Sequence, residues 1–215
     1  MFDLHCHSLF SDGELILSEL VRRLEVKGYQ AVCVTDHADE SNMEFILDGI
    51  NRAVDEINAC SETRLIPGIE LTHVHPMRVD SMTRKARAHG AKIVVCHGET
   101  IVEPVIPGTN RAAVEAGVDI LAHPGLITKE DVALAARNNV LLEISGRKGH
   151  CLTNGHVAAL AESLGAKLVI NSDGHSPGDF MDPDHARNVG RGAGLSAKKV
   201  EEIYEVNWKW LKELL

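Results

Sequence analysis

No stretch of the 215-residue chain approaches the roughly 20 consecutive apolar residues that a transmembrane helix needs, so no membrane role is expected. No secretory leader is expected either: the chain opens Met1-Phe2-Asp3-Leu4-His5, with no basic region ahead of an apolar one. The five cysteines (Cys6, Cys33, Cys60, Cys96 and Cys151) are odd in number and form no C-x-x-C pair. They read as small buried hydrophobes in a reducing compartment, and the expected location is cytoplasmic. Basic residues are in deficit, 22 Lys and Arg against 31 Asp and Glu, for a net charge of −9. Nonspecific nucleic-acid affinity comes from clustered cations, so the balance argues against a general phosphate-backbone binder. A small phosphorylated substrate stays open, because bound metal ions would reverse the local field. There is no G-x-S-x-G, no Cys–His nucleophile signature, no helix-turn-helix, no zinc finger, no linker and no low-complexity segment.

What is present is an alternation. Apolar runs at Phe2–Leu4, Ala31–Val34, Leu65–Ile69, Ile93–Cys96, Ile120–Ala122, Leu141–Ile144 and Leu168–Ile170 are separated by segments of helical spacing. Helices are expected over Ser18–Lys27, Asn42–Ala59, Met77–His89, Thr109–Glu115, Thr128–Arg137, His156–Leu164 and Asp184–Val189, several of them stopped by glycine. Such alternation predicts an α/β fold with a parallel sheet. At this length an eight-unit barrel of about 250 residues is a poor fit. Seven compact units fit, giving a single-domain, distorted (β/α)7 TIM-like barrel over residues 1–215. A last helix, 196–215, carries Val200, Ile203, Tyr204, Trp208, Leu211 and Leu215 at i+3 and i+4 steps. The stripe reads as packing on the barrel; the other reading is a homo-oligomer interface.

Each apolar run ends in chemistry. His5, His7 and Asp12 follow the first, Asp36 and His37 the second, Glu70 the third, His97 the fourth and His123 the fifth. Arg147 and His150 follow the sixth, Asp173 and His175 the seventh. In a barrel of strand–helix units all strand C-termini open on one face, where such residues meet. Imidazole nitrogen mixed with carboxylate oxygen is the ligand chemistry of zinc, manganese or iron. The candidate ligands are the imidazoles and carboxylates at these run ends. Asp36 reads as a supporting or turn residue, as do His73 and His75. Glu143 lies inside a strand, where it could support a ligand histidine. The loop Gly98–Gly108, with Pro104 and Pro107, is placed to wall one side of the site.

The ordered series H-x-H, S-D-G, T-D-H, G-x-E, H, H-P-G and S-D-G-H resembles the PHP (polymerase and histidinol phosphatase) superfamily of metal-dependent phosphoesterases, from His5 to about Pro177. The resemblance implies up to three divalent ions. His5, His7, Glu70 and Asp173 would hold one. Glu70 would bridge to a second with His97 and His123, and Asp12, His37 and His175 would hold the third. Histidinol phosphatases of that family often carry histidine where this chain has Asp12, which points away from that subgroup.

Arg147-Lys148-Gly149-His150 offers cationic groups to a phosphate. Arg147 is the predicted catalytic and phosphate-binding residue, with Lys148 and His150 beside it. Asn154 is a substrate-binding candidate or the cap of the helix behind it. The expected activity is hydrolysis of a small phosphorylated metabolite by water attack at two or three Zn, Mn or Fe ions. A phosphodiesterase or nuclease acting on short nucleotides is the rival, and a noncatalytic RNA-binding or scaffold barrel the third reading.

Overall fold

The computed structural model describes residues 1–214; the apolar position at Leu215 lies outside them. Parallel strands β1 (Phe2–Cys6), β2 (Ala31–Val34), β4 (Arg64–Leu71), β5 (Ile93–His97), β6 (Ile120–Ala122), β7 (Leu141–Ser145) and β8 (Leu168–Asn171) pair in that order. The two-residue strand β3 (His37–Ala38) also pairs β4, setting His37 opposite Glu70. The helices between and after the strands are α1 (Leu17–Val26), α2 (Met43–Cys60), α3 (Pro76–Ala88), α4 (Thr109–Ala116), α5 (Lys129–Asn138), α6 (Asn154–Leu164), α7 (Pro183–Gly192) and α8 (Ala197–Leu214). The expected seven-unit, TIM-like barrel is borne out. Its ladder closes at the C-terminal ends, where Asp173 N–H donates to the His5 carbonyl (3.0 Å) and His7 N–H to the Gly174 carbonyl (2.9 Å). Just below, the Asn171 side chain substitutes for a missing strand partner, accepting the Leu4 N–H at 3.0 Å.

Two apolar layers follow from the period of two along each strand. Val32, Val34, Ile69, Val94, Leu121, Leu142 and Ile170 face the helices. Phe2, Leu4, Ala31, Cys33, Ile66, Ile93, Val95, Ile120, Ala122, Leu141 and Val169 fill the barrel interior. Leu211 of α8 joins this inner cluster, flanked by Tyr204, Trp208, Trp210 and Leu214, and Phe2 stacks on Trp208 with ring centroids 6.1 Å apart. Because Phe2, Ala31, Ile93 and Leu141 begin their strands, α8 covers the N-terminal mouth. The opposite mouth is left to polar side chains.

The local boundaries shift in instructive ways. His5 and Glu70 lie within β1 and β4, not beyond them. The register of β1 on β2 breaks between Asp3 and Cys6. That irregularity re-phases the strand, so that Leu4 and then His5 and His7 face inward while Cys6 joins the helix-side layer. A 3-10 turn (His150–Thr153) precedes α6, which begins two residues earlier than the spacing suggests. Thr128 caps α5: its Oγ1 accepts the Asp131 N–H at 3.1 Å and donates to the Asp131 carboxylate at 2.8 Å.

Candidate metal centre

The polar mouth is built in two tiers. In the lower one Glu143, on β7 and fully buried, receives three donors. Its Oε1 lies 2.8 Å from His5 Nδ1 and 2.9 Å from Asn171 Nδ2, and its Oε2 accepts the His123 N–H at 3.0 Å. A carboxylate on Nδ1 fixes the tautomer and turns Nε2 toward the mouth. Asp36 does related work for the β1–α1 loop. Its carboxylate accepts from Ser8 N–H (2.8 Å), Ser8 Oγ (2.7 Å), Ser11 N–H (3.1 Å) and Ser11 Oγ (2.6 Å). Gly13 completes that loop, since a Cβ there would sit 2.4 Å from the His7 carbonyl oxygen. Asp12 is thereby brought back over the site.

Above this tier the nine residues predicted as ligands converge on one rim. Groups whose ligand atoms lie within 4.8 Å of one another are His5, His7 and Glu70; His5, His123 and Asp173; and His7, Asp12, His37 and His175. His97 and His123 form a further group with His150. His5 Nε2 is 3.3 Å from Glu70 Oε1, His7 Nε2 3.3 Å from Asp173 Oδ1, and His175 Nε2 3.2 Å from Asp12 Oδ1. His123 and Asp173 hold left-handed backbone, at φ of 26° and 53°. Each such residue costs about 1–3 kcal/mol and persists where the surroundings over-determine it.

The donor set fits cations. His5 Nε2, both nitrogens of His7, Glu70 Oε1 and His123 Nδ1 are buried without a hydrogen-bond partner. Each such group left alone costs about 1–3 kcal/mol, and cations at the rim would each engage one nitrogen per ring together with carboxylate oxygens. The titration pattern agrees. Burial alone would depress His5, yet the Glu143, Asp173 and Glu70 carboxylates hold it well above the usual imidazole range. Burial and then His37 push His7 well down, while burial, His97 and His150 push His123 down. Burial raises Asp173 far above the usual carboxylate range.

The predicted substrate-side residues separate. Arg147 reaches the rim: its Nη1 is 3.2 Å from the Asp173 carbonyl oxygen and 2.8 Å from His175 Nδ1. Lys148 is exposed. His150 is buried and stacks on His123 at 4.0 Å, with its pKa pulled down to about 4, chiefly by burial. It belongs with the imidazoles rather than with the cations. Asn154 is a correction. Its Oδ1 accepts the Ser145 N–H (3.1 Å) and its Nδ2 donates to the Ser145 carbonyl (2.8 Å), so both amide ends are spent inside the fold, and Thr153 takes the N-cap position. The residue that sequence reasoning missed is Glu103. Its Oε2 stands 3.1 Å from His97 Nε2, and that contact first, with His150 and His73 also near, holds its carboxyl down to about 2. Only Ile101 and Val102 precede Glu103, with Pro104 after it, so the segment reads as loop and nothing in the local pattern marked it. His75 caps α3, accepting the Met77 N–H.

Among known proteins, an uncharacterized protein of Methanocaldococcus jannaschii is 46% identical over 202 residues, 93% of each chain. DNA polymerase/3'-5' exonuclease PolX of Bacillus subtilis is 26% identical over 197 residues, 81% of this chain but 34% of the larger protein. A crystal structure of a candidate histidinol phosphatase, hisK, of Listeria monocytogenes superposes with a TM-score of 0.62 at 12% identity, covering 85% of this chain and 98% of that one. That level of identity speaks for the fold alone. The family model described as PHP domain matches residues 3–165, a span that holds the first seven of the converging ligands and the strands that aim them; the chain belongs to the PHP domain family.

Proposed function

We propose that the protein is a metal-dependent phosphoesterase hydrolysing a small phosphorylated metabolite, in the manner of a histidinol-phosphatase-like phosphomonoesterase. The carrying observation is the set of buried ligand atoms without hydrogen-bond partners, gathered beside one arginine. His5, His7, Asp12, His37, Glu70, His97, His123, Asp173 and His175 would hold two or three Zn, Mn or Fe ions. Bound ions of this class polarise phosphoryl oxygens and make water acidic enough to attack phosphorus near neutral pH. The chain itself orients the reactants. The Arg147 guanidinium is braced by the Asp173 carbonyl and offers remaining N–H groups to the phosphate oxygens. Glu143 keeps His5 in one tautomer, and Asp36 holds the loop that carries Asp12 over the substrate.

The similarity to the DNA polymerase/3'-5' exonuclease PolX of Bacillus subtilis supports a second reading, cleavage of a phosphodiester in short nucleotides. Purified protein reconstituted with Mn, Fe or Zn is expected to hydrolyse p-nitrophenyl phosphate and members of a metabolite-phosphate panel. Preference for bis-p-nitrophenyl phosphate or for short single-stranded DNA or RNA would decide for the second reading. Elemental analysis finding no metal, with no turnover after Mn addition, would overturn both and leave a noncatalytic barrel.

A further inference from the structure

The loop from β5 to α4 is fastened at its base and carries one acid into the site. Glu99 Oε1 accepts the Gly108 N–H (3.0 Å) and the Asn110 N–H (2.9 Å), while Asn110 Oδ1 accepts the Glu99 N–H (2.9 Å). The Asn110 amide also donates to the Pro124 carbonyl at 2.8 Å, tying this base to the turn after His123. Between these anchors Ile101, Val102 and Ile106 face solvent, and Glu103 turns the other way. Its Oε2 lies 3.1 Å from His97 Nε2 and 3.4 Å from His73 Nε2, and its Oε1 lies 3.4 Å from His150 Nε2.

Both buried imidazoles have their far nitrogens engaged locally. His97 Nδ1 is 3.2 Å from the Gly98 carbonyl, which can only accept, and His150 Nδ1 is 2.8 Å from Thr100 Oγ1. In the tautomer that donates to Gly98, His97 Nε2 presents a lone pair to the Glu103 carboxylate, which also has only lone pairs. A cation between them resolves that opposition. A tetrahedral ion with bonds of about 2.0–2.1 Å spaces its ligand atoms about 3.3–3.4 Å apart, close to the separations around Glu103. The partition of carboxylates points the same way. Among the described residues, Glu103 is the acid within 4.0 Å of His97 and of His150, whereas His123 lies 3.8 Å from Glu70 and 3.6 Å from Asp173.

We propose that Glu103 is a metal ligand, sharing with His97 and His73 a site for a zinc-like divalent cation beside the His97, His123 and His150 group, and that ion binding there pins the 98–108 loop. The inference rests on the metal-dependent reading of the rim and adds a loop-borne ligand that the family resemblance did not supply.

Metal-stripped protein and its Glu103→Gln variant are titrated with zinc against a competing chelator, and amide hydrogen exchange over residues 98–108 is followed with and without zinc. Loss of a partner that merely orients a ligand weakens metal binding about 10–100-fold. Glu103→Gln is expected to weaken one zinc equivalent by at least that factor, and zinc to slow exchange in the wild-type loop but not in the variant. Unchanged zinc affinity in the variant, or wild-type loop exchange indifferent to zinc, overturns the proposal while the phosphoesterase reading stands. A wild-type protein that binds no zinc, manganese or iron overturns both. Zinc-dependent loop protection without phosphoester turnover overturns the activity alone and supports the site.

Discussion

Replacing Glu143 by glutamine perturbs one atom in the buried tier beneath the rim. Three donors, His5 Nδ1, Asn171 Nδ2 and the His123 backbone N–H, converge on two carboxylate oxygens. Glutamine keeps one acceptor and turns the other into a donor. With its oxygen toward His5 and Asn171, its amino group opposes the His123 N–H. That buried donor, left without an acceptor, costs about 1–3 kcal/mol, and the bond to His5 loses its charge assistance, about 1 kcal/mol more. A total near 3 kcal/mol, at about 2–4 °C per kcal/mol for a chain of this size, lowers Tm by about 6–12 °C. The ring of His5 is then free to change tautomer, so metal affinity falls about 10–100-fold. Thermal unfolding with and without zinc, together with chelator competition, reads both quantities. A Tm within about 2 °C of wild type, with metal affinity intact, would refute the claim that Glu143 holds the ligand tier.

Stripping the metals with a chelator is expected to lower Tm by about 5–10 °C, since an ion present at a hundred times its Kd contributes about 2.7 kcal/mol; an unchanged unfolding curve would count against bound ions. Asp173→Asn removes a buried charge shared among His5, His7 and His123, so metal content and turnover should fall together, and an unchanged rate would remove Asp173 from the site. Arg147→Ala should lower kcat/KM for a phosphomonoester about 10–100-fold, the worth of a charged hydrogen bond, with metal content retained; Arg147→Lys should not restore it, because lysine lacks the planar fork. Asp3, which accepts the His5 and Ser172 N–H groups beneath the rim, gives a pH test. Burial raises its pKa to about 6 in the folded chain, against 3.8 unfolded. The folded state alone therefore keeps the proton between these values, so Asp3 contributes about 3 kcal/mol that is present below pH 4 and lost as pH rises through 6. Urea unfolding of Asp3→Asn across that window should show the slope reduced by that amount, and an identical slope would refute the assignment.

Much of the rim was legible because strand periodicity and strand ends are local facts. An apolar run that stops at His97 or His123 places that residue at a mouth whatever the neighbouring strands do. The exceptions share a cause. His5 and His7 face inward only because the β1 register breaks after Asp3, an event of pairing rather than of composition. Asn154 looked available to a substrate, but the turn before α6 folds it back onto Ser145. His37 gains its place from β3, two residues too short to leave a periodic trace, which sets it against Glu70.

From the residues alone came the alternation of seven strands with helices, the acidic balance, and the identity of side chains able to share cations, because each depends on spacing along one segment. Tertiary structure decided which carboxylate meets which imidazole. Glu143 serves His5 across 138 positions of sequence, and Glu103 arrives on a loop whose course is set by Glu99 and Asn110 at its base. Such pairings are fixed by barrel closure and loop anchoring, forces that act between segments, so no reading of one segment at a time contains them.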